Sequence, residues 1–180
     1  EHISIAIWVK FTVPAAEAQK FGLPTDKPLS IVIWTTTPWT LPSNSALTIG
    51  KNIDYVLIKT FNPYTFLPVN VVLAKDLIAK YFSEKGKDGD FEGFENSDKK
   101  IIPWTIIAEC KGSDLEGIEY EQLLPYVQPE APAFRVIIGD FVTTEDGTGV
   151  VHTSPTFGAD DFRVAQQNGI PPLMVRDEAG

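Results

Sequence analysis

A chain of 180 residues with 43% hydrophobic content can bury one sizeable core, and nothing in that length calls for a second domain. Its net charge of −9 works against a protein that coats a strand or reads a groove, because phosphate contacts need Lys and Arg. One cysteine, Cys110, and two histidines, His2 and His152, are too few for an internal disulfide or a structural metal cluster, so no metal site is expected.

In chain order, β-branched or alternating runs predict strands at Ser4 to Val13, Leu29 to Thr37, Tyr55 to Thr60 and Val69 to Ala74. Three more are predicted at Thr105 to Cys110, Phe134 to Ile138 and Gly149 to Thr153, with Gly, Pro, Asn and Asp clusters between them. Leu77, Ile78, Tyr81 and Phe82 fall at helical spacing within Asp76 to Ser83, and Asp160 to Asn168 reads as a second helix ended by Gly169 and Pro171. Ser83 to Lys100, polar and broken by three glycines, is expected to be a surface excursion. Cys110 sits in the alternating run Ile106 to Lys111, where a small buried apolar role is expected rather than a nucleophile. Many short strands with few helices make a mainly β fold, for which closure into a barrel removes exposed edges. No apolar run is long enough to span a membrane, and Glu1-His2-Ile3-Ser4 lacks the basic start of a signal peptide, so a soluble, cytoplasmic chain is expected. The start without methionine and the polar end Arg176-Asp177-Glu178-Ala179-Gly180 read as cuts, so residues 1–180 are expected to be a single domain excised from a longer polypeptide.

Two segments carry chemistry. The first, Trp34-Thr35-Thr36-Thr37-Pro38-Trp39-Thr40-Leu41-Pro42-Ser43-Asn44, sets hydroxyls, two indoles and an amide at the end of an apolar strand. Pro38 cannot donate to a ladder and ends the pairing; alternation then points Thr35 and Thr37 one way and Thr36 the other. For three threonines alone, β-propensity on an exposed edge is a sufficient explanation and the favoured one. The second segment runs Asp146-Gly147-Thr148-Gly149-Val150-Val151-His152-Thr153-Ser154-Pro155-Thr156-Phe157-Gly158-Ala159-Asp160-Asp161-Phe162. By itself His152 is a structural strand histidine, and Asp160 and Asp161 complement a helix dipole.

Together the segments resemble the editing domain of the isoleucyl-tRNA synthetase family, in Thr-Thr-Thr-Pro-Trp-Thr-Leu-Pro-x-Asn and in Gly-Thr-Gly-x-Val-His-x-x-Pro-x-x-Gly-x-Asp-Asp-Phe. The sister valyl and leucyl forms carry Thr-Thr-Arg-Pro-Glu-Thr or Thr-Thr-Arg-Pro-Asp-Thr and lack the histidine. Ser4 to Phe11 and Lys111 to Tyr120 are also similar, so the resemblance spans nearly the whole chain. It implies a closed β-barrel of the valyl, isoleucyl and leucyl editing type with small peripheral helices. The implied activity is hydrolysis of valine wrongly esterified to isoleucine tRNA, and of valyl-adenylate. The implied partners are the 3′ end of that tRNA and the remainder of the synthetase, with no DNA and no membrane. No cofactor is implied for this domain; the full-length enzyme would use ATP and magnesium.

The resemblance also assigns roles. Asp161 would hold the substrate ammonium through charge-assisted hydrogen bonds. His152 would close the side-chain pocket by bulk, a role ranked above general base because no carboxylate lies just before it in sequence. Thr35, Thr36 and Thr37 supply donors and acceptors for the ester carbonyl, water and ribose, with at least two lining the site. Trp39 would be a packing wall and Asn44 would lie near the terminal ribose; from the residues themselves, Trp34 is expected in the core because it continues an apolar strand, and Gly147 and Gly149 are expected to serve a tight turn. With no nucleophile elbow, Cys/His dyad or metal ligand set, hydrolysis by a positioned water is expected. A β module that binds an RNA end or small ligand without turnover would use Trp39, Phe157 and the hydroxyl run equally well, whereas a structural or interaction module would leave all activity intact when Asp161 or Thr35 is changed.

Overall fold

The computed structural model describes residues 6–95, 101–176 and 179. The fold is built on β1 (Ile7–Val13), β2 (Leu29–Thr35), β3 (Ala46–Ile49), β4 (Asp54–Phe61), β5 (Pro68–Ala74), β6 (Thr105–Lys111), β7 (Arg135–Ile138) and β8 (Val150–Thr153). Between them lie α1 (Ala15–Lys20), α2 (Ile78–Tyr81), α3 (Phe91–Glu95) and α4 (Gly112–Leu115), and α5 (Ala159–Gln167) follows β8. A five-stranded sheet has the order β1-β2-β5-β4-β6, and a three-stranded sheet the order β7-β3-β8. In the first, β2 and β5 run parallel and the other neighbours antiparallel; in the second, β3 is parallel to β7 and antiparallel to β8.

The period-2 pattern explains how the sheets meet. Phe11, Ile31, Ile33, Leu57 and Val72 of the larger sheet and Leu47, Ile49, Val136 and Val150 of the smaller share one core. Fully burying side chains of this size stabilises the fold by about 1.5–3 kcal/mol each. On the other face of the larger sheet, Val56, Ile58, Val71 and Leu73 pack with Ile78 and Trp104 in a second cluster.

The expected closed, mainly β barrel is corrected by this topology: the protein is mixed α/β, and both sheets are open. The free edges of β1 and β7 are joined by irregular chain rather than by a ladder. Gly117 N donates to Val136 O at 2.8 Å, Val136 N to Ile118 O at 2.8 Å, Tyr120 N to Phe134 O at 2.9 Å and Glu121 N to Thr12 O at 2.9 Å. Glu17 of α1 fastens the same segment, accepting from Glu119 N at 3.1 Å. Edge groups, mostly carbonyl acceptors, are thereby satisfied without closure. Of the remaining edges, β6 carries Glu109 and Lys111 outward, which discourages pairing with a second chain.

Other expectations hold or shift locally. Pro38 opens a 3-10 helix, Pro38–Ser43, so the strand ends at Thr35. The second helix is seen as α5, with Gly169 at φ +67° just beyond it. The helix over 76–83 is shorter, a 3-10 turn followed by α2. The polar excursion is only partly a surface feature. Phe94 of α3 is buried with its ring 4.5 Å from Phe61, while residues 96–100 lie outside the described set. Strand β3 escaped prediction because all four residues are buried and show no alternation. Cys110 is half-buried against the core as a free thiol, and burial pushes it up to about 11. No helix among the described residues is long and apolar enough to cross a membrane.

Candidate functional site

The end of β2, the 3-10 helix, the glycine-rich entry to β8 and the first turn of α5 surround a cleft of about 440 Å³. Residues far apart in sequence meet here because β3 pairs with β8, placing Leu47 opposite His152. Thr35, Thr37, Trp39, His152 and Asp161 all line the cleft. Thr36 is exposed and outside it, set apart from Thr35 and Thr37 by the turn that follows the end of β2 rather than by strand alternation. Trp34, expected in the core, is half-buried and forms part of the cleft wall. Asn44 does not line the cleft; it is 3% exposed and lies behind His152. Thr40, Phe141 and Ser154 are wall residues that sequence reasoning gave no role.

The threonine run is ordered locally. Thr35 Oγ1 accepts from Thr37 N at 3.1 Å and lies 3.3 Å from Thr37 Oγ1. This local turn presents two hydroxyls to one side of the chain, with Trp39, 68% exposed, beyond them. Across the cleft, Gly149 has φ +77°, and a Cβ there would sit 2.5 Å from Ala74 Cβ, so only glycine lets the two backbones approach. Tyr55 and Tyr81 hydroxyls donate to the carbonyls of Gly149 and Gly147 and hold that turn in place.

His152 is enclosed by hydrogen bonds. Asn44 Nδ2 lies 3.0 Å from Ala46 O, which can only accept, so the amide nitrogen must face that carbonyl. Its second proton then goes to His152 Nδ1 at 2.8 Å. Nδ1 is therefore the acceptor, and the ring proton resides on Nε2, 2.9 Å from Thr40 Oγ1. The Thr40 hydroxyl in turn donates to Thr37 O at 2.9 Å. Both ring nitrogens are occupied, and burial pulls the imidazole down to about 4, well below its ordinary 6.5. The ring is a neutral wall.

Asp161 is the opposite kind of group. It occupies the first turn of α5, and Ser154 N donates to its Oδ2 at 2.8 Å. Burial raises its pKa, the Ser154 N–H opposes that, and the neighbouring Asp160 charge adds to it. Oδ1 makes no hydrogen bond among the described residues. No Lys or Arg stands among the described residues lining the cleft, while Asp146 and Asp161 do. The cleft therefore suits a cationic group and disfavours a phosphate.

No family model matches the chain. It is 66% identical over 147 residues to the isoleucine–tRNA ligase of Cytophaga hutchinsonii, an alignment covering 82% of this chain and 13% of that protein. With the isoleucine–tRNA ligase of Bacteroides fragilis it shares 51% over 171 residues, covering 95% of this chain and 14% of that protein. The chain belongs to the isoleucyl-tRNA synthetase family. It spans 13–15% of the length of the curated relatives it matches. Solved structures agree on the fold. The P. knowlesi cytosolic leucyl-tRNA synthetase editing domain superposes with a TM-score of 0.65 at 10% identity, covering 91% of this chain and 64% of that one. The P. falciparum counterpart gives 0.62 at 13% identity, covering 91% and 67%. Within the synthetase family, the aligned region is thus the one with the editing-domain fold.

Proposed function

We propose that this chain is the proofreading hydrolase of an isoleucyl-tRNA synthetase, cleaving valine from the 3′ end of isoleucine tRNA, with valyl-adenylate as a second substrate. The observation that carries this reading is the placement of a spare carboxylate oxygen on Asp161 and a neutral His152 in one cleft. Asp161 takes the α-ammonium, whose charge relieves the burial penalty on the carboxylate. The branched side chain then points at His152, and the ester lies toward Thr35 and Thr37. A water oxygen attacks the ester carbonyl carbon, the bond from that carbon to the ribose oxygen breaks, and the ribose oxygen leaves with a proton. Because neither nitrogen of His152 is open, it does not take that proton; the threonine hydroxyls and the vicinal ribose hydroxyl orient the water.

Selection against isoleucine follows from the same wall. One methylene in an apolar pocket discriminates by only about 1–3 kcal/mol, a limit for which this family's choice between isoleucine and valine is itself the standard illustration. A second cleft must therefore refuse isoleucine by overpacking, at a penalty of about 1–3 kcal/mol. The acidic cleft admits the aminoacylated terminus, while the rest of a longer synthetase holds the tRNA body. Release of valine from mischarged isoleucine tRNA tests the reading. Asp161→Asn should lose it, and binding of the charged terminus without release would make the chain a binder instead.

A further inference from the structure

The hydrogen bonds behind the cleft continue one residue deeper than the site. Tyr120, 4% exposed, lies on the irregular segment that joins the two sheets, its ring edge-on to Phe11 at 5.2 Å. Its hydroxyl donates to Asn44 Oδ1 at 2.6 Å. Asn44 has no freedom left: Oδ1 accepts from the phenol, one Nδ2 proton goes to Ala46 O and the other to His152 Nδ1. Turning the amide over would set Oδ1 against the Ala46 carbonyl and an N–H against the phenol proton. Burial holds the phenol protonated at every working pH, so it remains a donor.

We infer that Tyr120 is the positioning residue for His152: through Asn44 its hydroxyl fixes the ring in the Nε2–H tautomer and in one orientation, and so sets the size limit of the cleft. The inference rests on the proposed editing reading for its effect on selectivity, but its tautomer statement stands on the hydrogen bonds alone. Without the phenol oxygen, Asn44 Oδ1 is buried with no donor, and the amide, still kept from turning over by Ala46 O, is free to tilt out of place and weaken its bond to Nδ1. The ring then shares its proton between the nitrogens, loses its fixed bond to Thr40, and yields to a larger side chain.

Only two histidines occur in the chain, so nitrogen-15 histidine spectra read His152 directly. In the unaltered chain, Nε2 should be protonated and Nδ1 bare; a proton on Nδ1 would overturn the inference without any variant. Tyr120→Phe should shift both nitrogen signals toward intermediate values and raise the isoleucyl-to-valyl ratio of kcat/KM by about tenfold, the worth of one buried hydrogen bond. A purely structural tyrosine would lower both esters' rates together and leave the nitrogen pattern unchanged, which would also overturn it. Should Tyr120→Phe not fold, Asn44→Asp offers only acceptors to Nδ1 and must move the proton there; an unaltered pattern in that variant refutes the chain of contacts. Failure of the unaltered chain to hydrolyse valyl-tRNA would sink the editing reading alone.

Discussion

His152 and Asp161 face the same cleft, yet the protein treats them in opposite ways. The imidazole has both nitrogens engaged by Asn44 and Thr40, is held neutral, and is braced from the core through Tyr120. The carboxylate is tied by one oxygen to Ser154 N, sits in the first turn of a helix, and keeps the other oxygen open. A wall whose polar atoms are all satisfied internally can only exclude; a wall with an open charged oxygen can bind. In the proposed editing reading, the specificity of the cleft is divided between a part that refuses by shape and a part that attracts by charge.

The titrations sharpen that contrast most strongly. A histidine held down from 6.5 to about 4 contributes stability that is fully present above the unfolded value and is lost as pH falls through that window, worth roughly 3 kcal/mol. Asp161 has the other sign: its raised pKa means the ionised form burdens the fold, and that burden lifts as pH falls through the folded value. Denaturant midpoints between pH 7 and pH 4 should therefore fall on acidification, and His152→Gln should flatten the decline. An unchanged slope in that variant would place the acid sensitivity elsewhere.

Asp161→Asn comes next. The amide oxygen can still accept from Ser154 N, but the charge for the ammonium is gone. Valyl-tRNA hydrolysis should drop at least tenfold, as expected for losing a hydrogen bond to a charged partner. Thermal stability at pH 7 should hold or rise, because a burdened carboxylate has been removed. Equal loss of stability and activity would make Asp161 a structural cap and nothing more.

The smallest effects belong to the hydroxyls. Thr37→Ala removes a cleft hydroxyl and should slow valyl hydrolysis severalfold, about 1 kcal/mol, whereas Thr36→Ala alters an exposed side chain outside the cleft and should change it within error. Comparable losses at both positions would contradict the face assignment.

Much of this site was legible in the sequence because it depends on local rules. Pro38 stops the strand by Thr35, the turn that follows sets Thr36 apart from Thr35 and Thr37, and the glycine-rich run leads into His152. What was not legible depends on contacts between distant segments. Asn44 reads as a cleft amide in sequence, but a four-residue strand with no alternation, β3, follows it and draws it into the core. Tyr120 is 76 residues from the amide it braces, so no spacing rule finds it. Barrel closure was expected from the resemblance more than from strand count, yet the irregular segment at 117–121 satisfies edge groups that a ladder would otherwise need. Trp34 continues an apolar strand and looks like core, while its place at the end of β2 puts it on the cleft.

Hydrolysis of both esters by His152→Ala tests the central division most directly. If the ring refuses isoleucine by bulk, the variant should hydrolyse correctly charged isoleucyl-tRNA at a rate at least tenfold above the unaltered chain, while valyl hydrolysis persists because Asp161 and the threonines remain. Isoleucyl-tRNA that stays intact while valyl hydrolysis collapses by about a hundredfold would make His152 a general base and contradict the account.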